Sequence, residues 1–214
     1  MCFSATASLI AGGSLSATGV LTIKKVKTKA DLPFASIPLL FGIQQIIEGV
    51  VWLSFGQPLL NHIATNVYLL FAFVVWPIFV PFSVLAMENN QKRKKILHIF
   101  LFLGLAVGLY LLHLIIVGKF SAHVINKSIA YHSLYTHVFS IVVFYFLVTC
   151  GSTLFSSHRI VRMFGIIFLV SAAITALFFL EAFISVWCFF AAILSILIFI
   201  YFYRRNKFEL KQLL

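Results

Sequence analysis

Residues 163–203 form a segment of 41 residues without lysine, arginine or aspartate, and this segment constrains the fold more than any other part of the chain. As one straight helix it would extend about 62 Å, which is twice the roughly 30 Å of a bilayer's hydrocarbon core. A pair of arginines precedes the segment and another pair follows it, so both of its ends favour the same aqueous side. We therefore expect two membrane helices joined by a tight hairpin near residues 181–185.

Composition and charge distribution indicate a membrane protein and argue against a nucleic-acid partner. The chain of 214 residues is 62% hydrophobic and 10% charged, whereas soluble domains carry about 25% charged residues. Its net charge of +11 comes from sixteen Lys and Arg, which fall in five clusters separated by long apolar stretches. Such clusters flank membrane helices; they do not form the continuous basic face that follows nucleic-acid phosphates.

Seven apolar segments are each long enough to cross a bilayer, which takes roughly 20 helical residues. We predict an all-α, polytopic membrane bundle of seven transmembrane helices, forming a single domain over residues 1–214. The predicted spans are about 4–23, 33–55, 64–87, 96–117, 129–151, 163–181 and 185–203.

The basic residues predict the orientation of this bundle. The loops at 24–32, 88–95 and 152–162, with the C-terminal tail, hold fourteen of the sixteen Lys and Arg. Since cytoplasmic loops carry the excess of positive charge, we expect the N-terminus outside and the C-terminus in the cytoplasm. The expected location is the bacterial cytoplasmic membrane, crossed several times, with membrane lipids as partners.

Glu48 is the residue that is hardest to reconcile with a membrane-spanning helix. With Glu181, it is one of the two acidic residues associated with the predicted spans, and no Lys or Arg lies within any span. A carboxyl in this position needs a histidine, a metal, hydroxyl or amide donors, or a proton. Glu48 belongs to a stripe of residues spaced by three and four, which we expect to face the interior of the bundle. This stripe consists of Phe41, Gln44, Gln45, Glu48 and Trp52.

Several other polar residues are predicted in the outer half of the membrane. Glu48 and His137 are each expected about 12 Å below the outer surface, from their positions along the second and fifth spans. His113 is expected about 7 Å deep, His132 nearer the surface, and Glu181 at the hairpin tip. We therefore predict an outward-facing intramembrane Glu/His pocket. Its further members are Gln44, Gln45, Trp52, Tyr68, Tyr110, Tyr135 and Cys2.

Three functions are compatible with such a pocket. Carboxylate and neutral imidazole are zinc ligands, and three of them with a water form a catalytic site. In a zinc-dependent hydrolase of a lipid or small amphiphile, Glu48, His113, His137 and His132 are the predicted metal ligands. The predicted catalytic residues of that hydrolase are Glu48, His137 and Glu181.

The same residues without a metal predict a Glu48–His137 proton relay. That arrangement is typical of a non-enzymatic ligand sensor or a proton-coupled carrier. A structural subunit of a larger complex, in which Glu48 only holds helices together, is the third possibility.

Two segments of the sequence, MCFSATAS at 1–8 and LPFASIPLLFGIQQIIEGVVW at 32–52, carry a family resemblance. They resemble an uncharacterised bacterial family of polytopic membrane proteins, whose members begin MCFSA and share a PF…P…QQ…EG…W signature. The resemblance implies a small multi-helix membrane protein and brings no known activity. Microbial rhodopsins also have seven helices, but residues 185–203 lack their Schiff-base lysine, so no retinal is expected. The similarity to alkaline-ceramidase-like membrane hydrolases is one of architecture alone.

Overall fold

Helices make up most of the chain in the computed structural model, which describes residues 4–118, 120–132 and 138–212, with only the backbone of 138–142 and 206–212. The helices are α1 (Ala5–Ile23), α2 (Leu32–Ala35), α3 (Ile37–Leu53), α4 (Pro58–Leu69), α5 (Trp76–Met87), α6 (Gln91–Val117), α7 (Val138–Leu154), α8 (Arg159–Phe178), α9 (Phe183–Leu194) and α10 (Ile196–Gln212). A 3₁₀ turn (Lys29–Asp31) precedes α2, a π-helical turn (Leu70–Val75) joins α4 to α5, and the strands are β1 (Ser121–Ile125) and β2 (Ser128–His132).

Six helical segments within the described residues are long and apolar enough to cross a membrane. They are Ala5–Ile23, Lys29–Leu53, Pro58–Met87, Gln91–Val117, Arg159–Phe178 and Phe183–Arg205. The chain therefore has the helices of a multi-pass membrane protein. The long segment at 163–203 is divided as expected, because α8 ends at Phe178 and α9 begins at Phe183.

The start of the predicted span 129–151 requires a correction, because residues 128–132 form a strand. β2 pairs with β1 in an antiparallel hairpin, with Ile125 opposite Ser128. Asn126 and Lys127 both have positive φ, 49° and 59°, which is the backbone of a two-residue type I′ turn. The strand therefore extends through His132, and the following helix, α7, begins at Val138.

Helices α1 and α3 pack closely, with glycines facing each other. A Cβ added at Gly12 would lie 2.6 Å from Ile46 Cγ1 and 2.8 Å from the Ile46 backbone nitrogen. A Cβ added at Gly42 would lie 2.5 Å from Ser16 Oγ. The small residues of α1 thus let two membrane helices approach backbone to backbone.

Four segments with most of the basic residues meet at one end of the bundle, here called the basic face: residues 24–31, 88–95, 155–162 and 201–205. Arg205 is paired with Asp31 at 2.6 Å. Arg93 donates to the Ser156 carbonyl at 2.7 Å, and the Ser157 backbone nitrogen donates to Glu88 Oε2 at 2.6 Å. The β-hairpin lies at the other end of α6, where Tyr131 stacks on Tyr68 with 4.8 Å between the ring centroids.

Glu88 organises one corner of the basic face. Burial by itself would raise the pKa of this carboxyl, but donors from Ser157 and from the backbone of Asn89 and Asn90 hold the pKa below its ordinary value. Both the hydroxyl and the backbone nitrogen of Ser157 donate, each at 2.6 Å. Glu88 therefore ties the end of α5 to the segment before α8 in its ionised form.

The contact between α1 and α3 predicts that Gly12→Ala destabilises the protein by about 1–3 kcal/mol, since Ile46 and its backbone must move. Thermal unfolding in detergent measures the effect. Gly13→Ala is the matched control, because a Cβ at Gly13 meets nothing within 4 Å. Equal melting temperatures for the two variants would contradict the close packing of these helices.

The lowered pKa of Glu88 predicts a loss of stability in acid. A carboxyl with a depressed folded-state pKa stabilises the protein above its ordinary pKa, and this contribution disappears as the pH falls through the folded-state value. We expect Glu88→Gln to lower stability at neutral pH by about 1–3 kcal/mol and to flatten the acid part of the profile of melting temperature against pH. Glu181→Gln, at an exposed carboxyl, is the control and should keep the profile of the unmodified protein.

Candidate functional site

The predicted stripe of α3 does face the interior. Phe41, Gln44, Gln45 and Glu48 are buried, the last three completely, and Trp52 is half-buried. The spacing of three and four places these side chains on one side of the helix, which packs against other helices of the bundle. Three neighbouring polar side chains are therefore removed from both lipid and water.

Glu48 is held by hydrogen bonds from two helices. Ser185 Oγ on α9 donates to Glu48 Oε1 at 2.5 Å, and Gln45 Nε2 on α3 donates to Glu48 Oε2 at 3.3 Å. Ser185 is the third residue of α9, so the carboxyl lies beside the N-terminal turn of that helix. The positive end of the helix dipole favours a negative charge at this position.

Gln44 connects α3 to α5. Trp76 Nε1 donates to Gln44 Oε1 at 2.7 Å, and the Trp76 ring stacks on Phe41 with 3.9 Å between centroids. Both side chains are thereby locked in one orientation. Gln44 and Tyr68 also lie beside the Cys188 thiol on α9.

These contacts define one buried group of side chains, here called the Glu48 cluster. Residues of α3, α4, α5 and α9 contribute to it, and all of them except Trp76, at 3% exposure, and Cys188, at 1%, have none of their surface exposed. The members are Gln44, Gln45, Glu48, Tyr68, Trp76, Ser185 and Cys188.

The backbone beside Trp76 is irregular because of two prolines. Pro77 and Pro81 lack the N–H that a regular helix requires, and a π-helical turn precedes Trp76. Tyr145 on α7 donates its hydroxyl to the Ala72 carbonyl in this turn at 2.8 Å. The Pro77 carbonyl, which cannot bond to Pro81, points at Gly104 of α6. Neighbouring helices thus accommodate the freed carbonyls.

Four of the predicted pocket and ligand residues lie away from the Glu48 cluster. His113 and Tyr110 are exposed on α6, since the buried side of that helix runs through Gly104, Gly108, Leu111 and Ile115. His132 is exposed at the end of β2, with its ring 5.7 Å from that of His123, and Glu181 is exposed between α8 and α9.

The remaining predictions lie outside the described residues. They are Cys2, Tyr135 and His137. Within residues 4–118, 120–132 and 138–212, no three His, Cys, Asp or Glu side chains gather in a group able to hold a metal ion. Of the three predicted zinc ligands that the structure describes, Glu48, His113 and His132, only Glu48 belongs to the cluster, so a zinc-dependent hydrolase stays a prediction.

Sequence reasoning missed Ser185, Cys188 and Trp76 as members of the cluster. The hairpin predicted near residues 181–185 includes Ser185, but the third and sixth positions of α9 put Ser185 and Cys188 on one helix side. A hydroxyl and a thiol three residues apart in an apolar helix were the available signal. Glu48 on α3 lies 137 residues before Ser185, so the spacing within α9 could not predict their contact.

The match to known families covers nearly the whole chain. A model described as a family of unknown function, DUF6629, matches residues 1–212. The chain belongs to this family. The expected resemblance to an uncharacterised family is thus confirmed, and the cluster is a feature of a DUF6629 protein. Comparisons with curated proteins and with solved structures found no match.

Chemically, the cluster of this DUF6629 chain suits proton exchange. Glu48 accepts hydrogen bonds from an uncharged hydroxyl and an uncharged amide, so these contacts serve the ionised carboxylate without neutralising it. A proton on Glu48 Oε1 would turn that oxygen from an acceptor into a donor, and Ser185 Oγ would then have to accept instead of donate. The bond between α3 and α9 therefore depends on the protonation state of one side chain.

The Glu48 cluster predicts that Ser185→Ala destabilises the protein by about 1–3 kcal/mol, because a buried carboxyl oxygen loses its donor from α9. Ser195→Ala is the matched control in the same segment. Ser195 is equally buried but donates only to the Ala192 carbonyl, one turn earlier in the chain. Thermal unfolding of both variants, alone and combined with Glu48→Gln, measures the coupling. Additive effects of Ser185→Ala and Glu48→Gln would contradict the interaction.

Proposed function

We propose that this DUF6629 protein is a ligand sensor or proton-coupled carrier of the bacterial cytoplasmic membrane, in which Glu48 binds and releases a proton as a small amphiphile binds. The observation that carries the proposal is the complete burial of Glu48 between donors on α3 and α9. An ionisable side chain inside a membrane protein is costly to keep, which favours a functional role over a structural one.

The energetics favour a change of structure with protonation. Ionised Glu48 draws Ser185 and Gln45 toward its oxygens, and hydrogen bonds to a charged group are worth roughly twice those between neutral groups. Neutral Glu48 no longer attracts both donors. The contact of α9 with α3 is therefore stronger in one protonation state than in the other, which is what a two-state element requires.

A groove beside α9 supports an amphiphilic ligand. Its volume is about 580 Å³, and it opens between α7, α8 and the start of α9. Leu169, Ala172 and Ala176 of α8 form an apolar wall, and Glu181 lies at one end. Phe183 and Ile184 also line the groove, and they directly precede Ser185. A ligand that displaces these two residues acts on the donor to Glu48.

The proposed topology has seven membrane crossings with the basic face in the cytoplasm. The ion pair and hydrogen bonds of the basic face support it, since they hold together the segments after α1, α5, α7 and within α10. The β-hairpin after α6 lies at the opposite end. On this arrangement α7 also crosses the membrane, and Glu48 lies in the outer half.

Infrared spectroscopy of purified protein over a range of pH tests the proton-binding role of Glu48. We expect a carboxylic-acid band in acid that disappears on alkalinisation, is absent in Glu48→Gln, and is retained in the control Glu181→Gln. A band that Glu48→Gln leaves unchanged, or a carboxyl that does not respond to pH, overturns the proposal.

The link to the ligand is tested by repeating the titration with dodecylamine as the probe. We expect the midpoint of the Glu48 band to move when the probe is present, and we expect Ile184→Trp, which fills the groove, to abolish that movement. A midpoint that dodecylamine leaves in place contradicts the coupling between the groove and Glu48.

A further inference from the structure

A second groove lies at the basic face, between α8 and α10. Its volume is about 390 Å³. Its wall is apolar and runs along α8 from Ile160 to Ile167, and along α10 from Leu197 to Tyr201, with Phe34 of α2 behind it. Seven residues of helix correspond to about 10 Å, which is the length of the upper part of an acyl chain.

Two guanidinium groups lie at the end of this groove. Arg205 donates to both carboxylate oxygens of Asp31, at 2.6 and 3.3 Å. Its Nε is buried and has no hydrogen-bond partner among the described side and main chains. Arg204 is exposed and forms no ion pair within the part of the chain whose side chains are described. Asp31 pairs with Arg205, so the exposed guanidinium of Arg204 at the groove end has no carboxylate partner among the described side chains.

We propose that this groove binds an anionic diacyl phospholipid from the adjoining leaflet. One acyl chain lies along the apolar wall of α8 and α10, and the phosphate group lies beside the guanidinium groups of Arg204 and Arg205. The phosphate supplies the negative charge that balances Arg204. Guanidinium groups favour phosphate oxygens, and basic pockets between membrane helices are typical sites for anionic headgroups.

The contacts of Arg205 give this site a consequence for the fold. Arg205 bonds to Asp31, which begins the segment leading into α2 and α3, and its guanidinium carbon lies 5.1 Å from the Phe202 ring centroid. A phosphate beside Arg204 and Arg205 would add a second anionic contact at this end of α10. Bound lipid should therefore stabilise the contact of α10 with the start of the second span.

Native mass spectrometry tests the proposal, with the full-length protein exposed to phosphatidylglycerol or to phosphatidylcholine of the same acyl chains. We expect one phosphatidylglycerol to be retained in preference to phosphatidylcholine. Arg204→Gln should weaken this retention roughly fivefold. Lys95→Gln removes the same charge from an exposed position on the basic face and should leave retention unchanged.

A groove-filling variant and competition with inorganic phosphate distinguish a bound lipid from other occupants of the groove. Ile167→Trp fills the apolar wall while keeping both arginines, and we expect it to abolish lipid retention. Equal retention of the two lipids, an equal loss in Lys95→Gln and Arg204→Gln, displacement of the lipid by inorganic phosphate, or a dimer that excludes lipid would each overturn the proposal. None of these readouts depends on the protonation of Glu48, so the two proposals fail independently.

Discussion

The hydrogen bond from Ser185 to Glu48 is the interaction on which the interior of this protein depends most. In a bilayer there is no water to satisfy a carboxyl group, so every partner must come from the protein. Ser185 Oγ comes from α9 and Gln45 Nε2 from α3 itself, and both reach the same carboxyl. The carboxyl therefore decides how the last helical segment of the bundle packs against the second.

The neighbouring contacts extend this constraint to the third span. Gln44 is one residue of the same stripe, and its oxygen accepts from Trp76 at the point where a π-helical turn ends and a regular helix resumes. The turn precedes Pro77, and the Ala72 carbonyl within it accepts a hydrogen bond from the Tyr145 hydroxyl of α7. π-Helical turns inside helices are found often at functional sites. The polar interior is thus a single connected region in which four helices share their hydrogen bonds.

The two ends of the bundle are built by different physics. At the basic face, charged groups are paired with carboxylates and helix-end carbonyls, as in the pairs Arg205–Asp31 and Arg93–Ser156. At the opposite end, apolar and aromatic contacts dominate, with Tyr131 of the hairpin stacked on Tyr68 of α4. Tyr68 also lies beside Cys188, so this side chain connects the hairpin to the Glu48 cluster.

The sequence by itself determined the membrane class, the helical segments and the buried side of α3, because hydropathy and a spacing of three and four are local properties. It also pointed to Glu48. Only the tertiary structure decided which groups meet that carboxyl, since Ser185 lies 137 residues away and reaches it through helix packing. Packing likewise turned His113 outward, because the glycines of α6 occupy its inner side. The turn at Asn126 and Lys127 places His132 on a strand, where it pairs with Ser121. Hydrophobic periodicity along one segment cannot predict such a pairing.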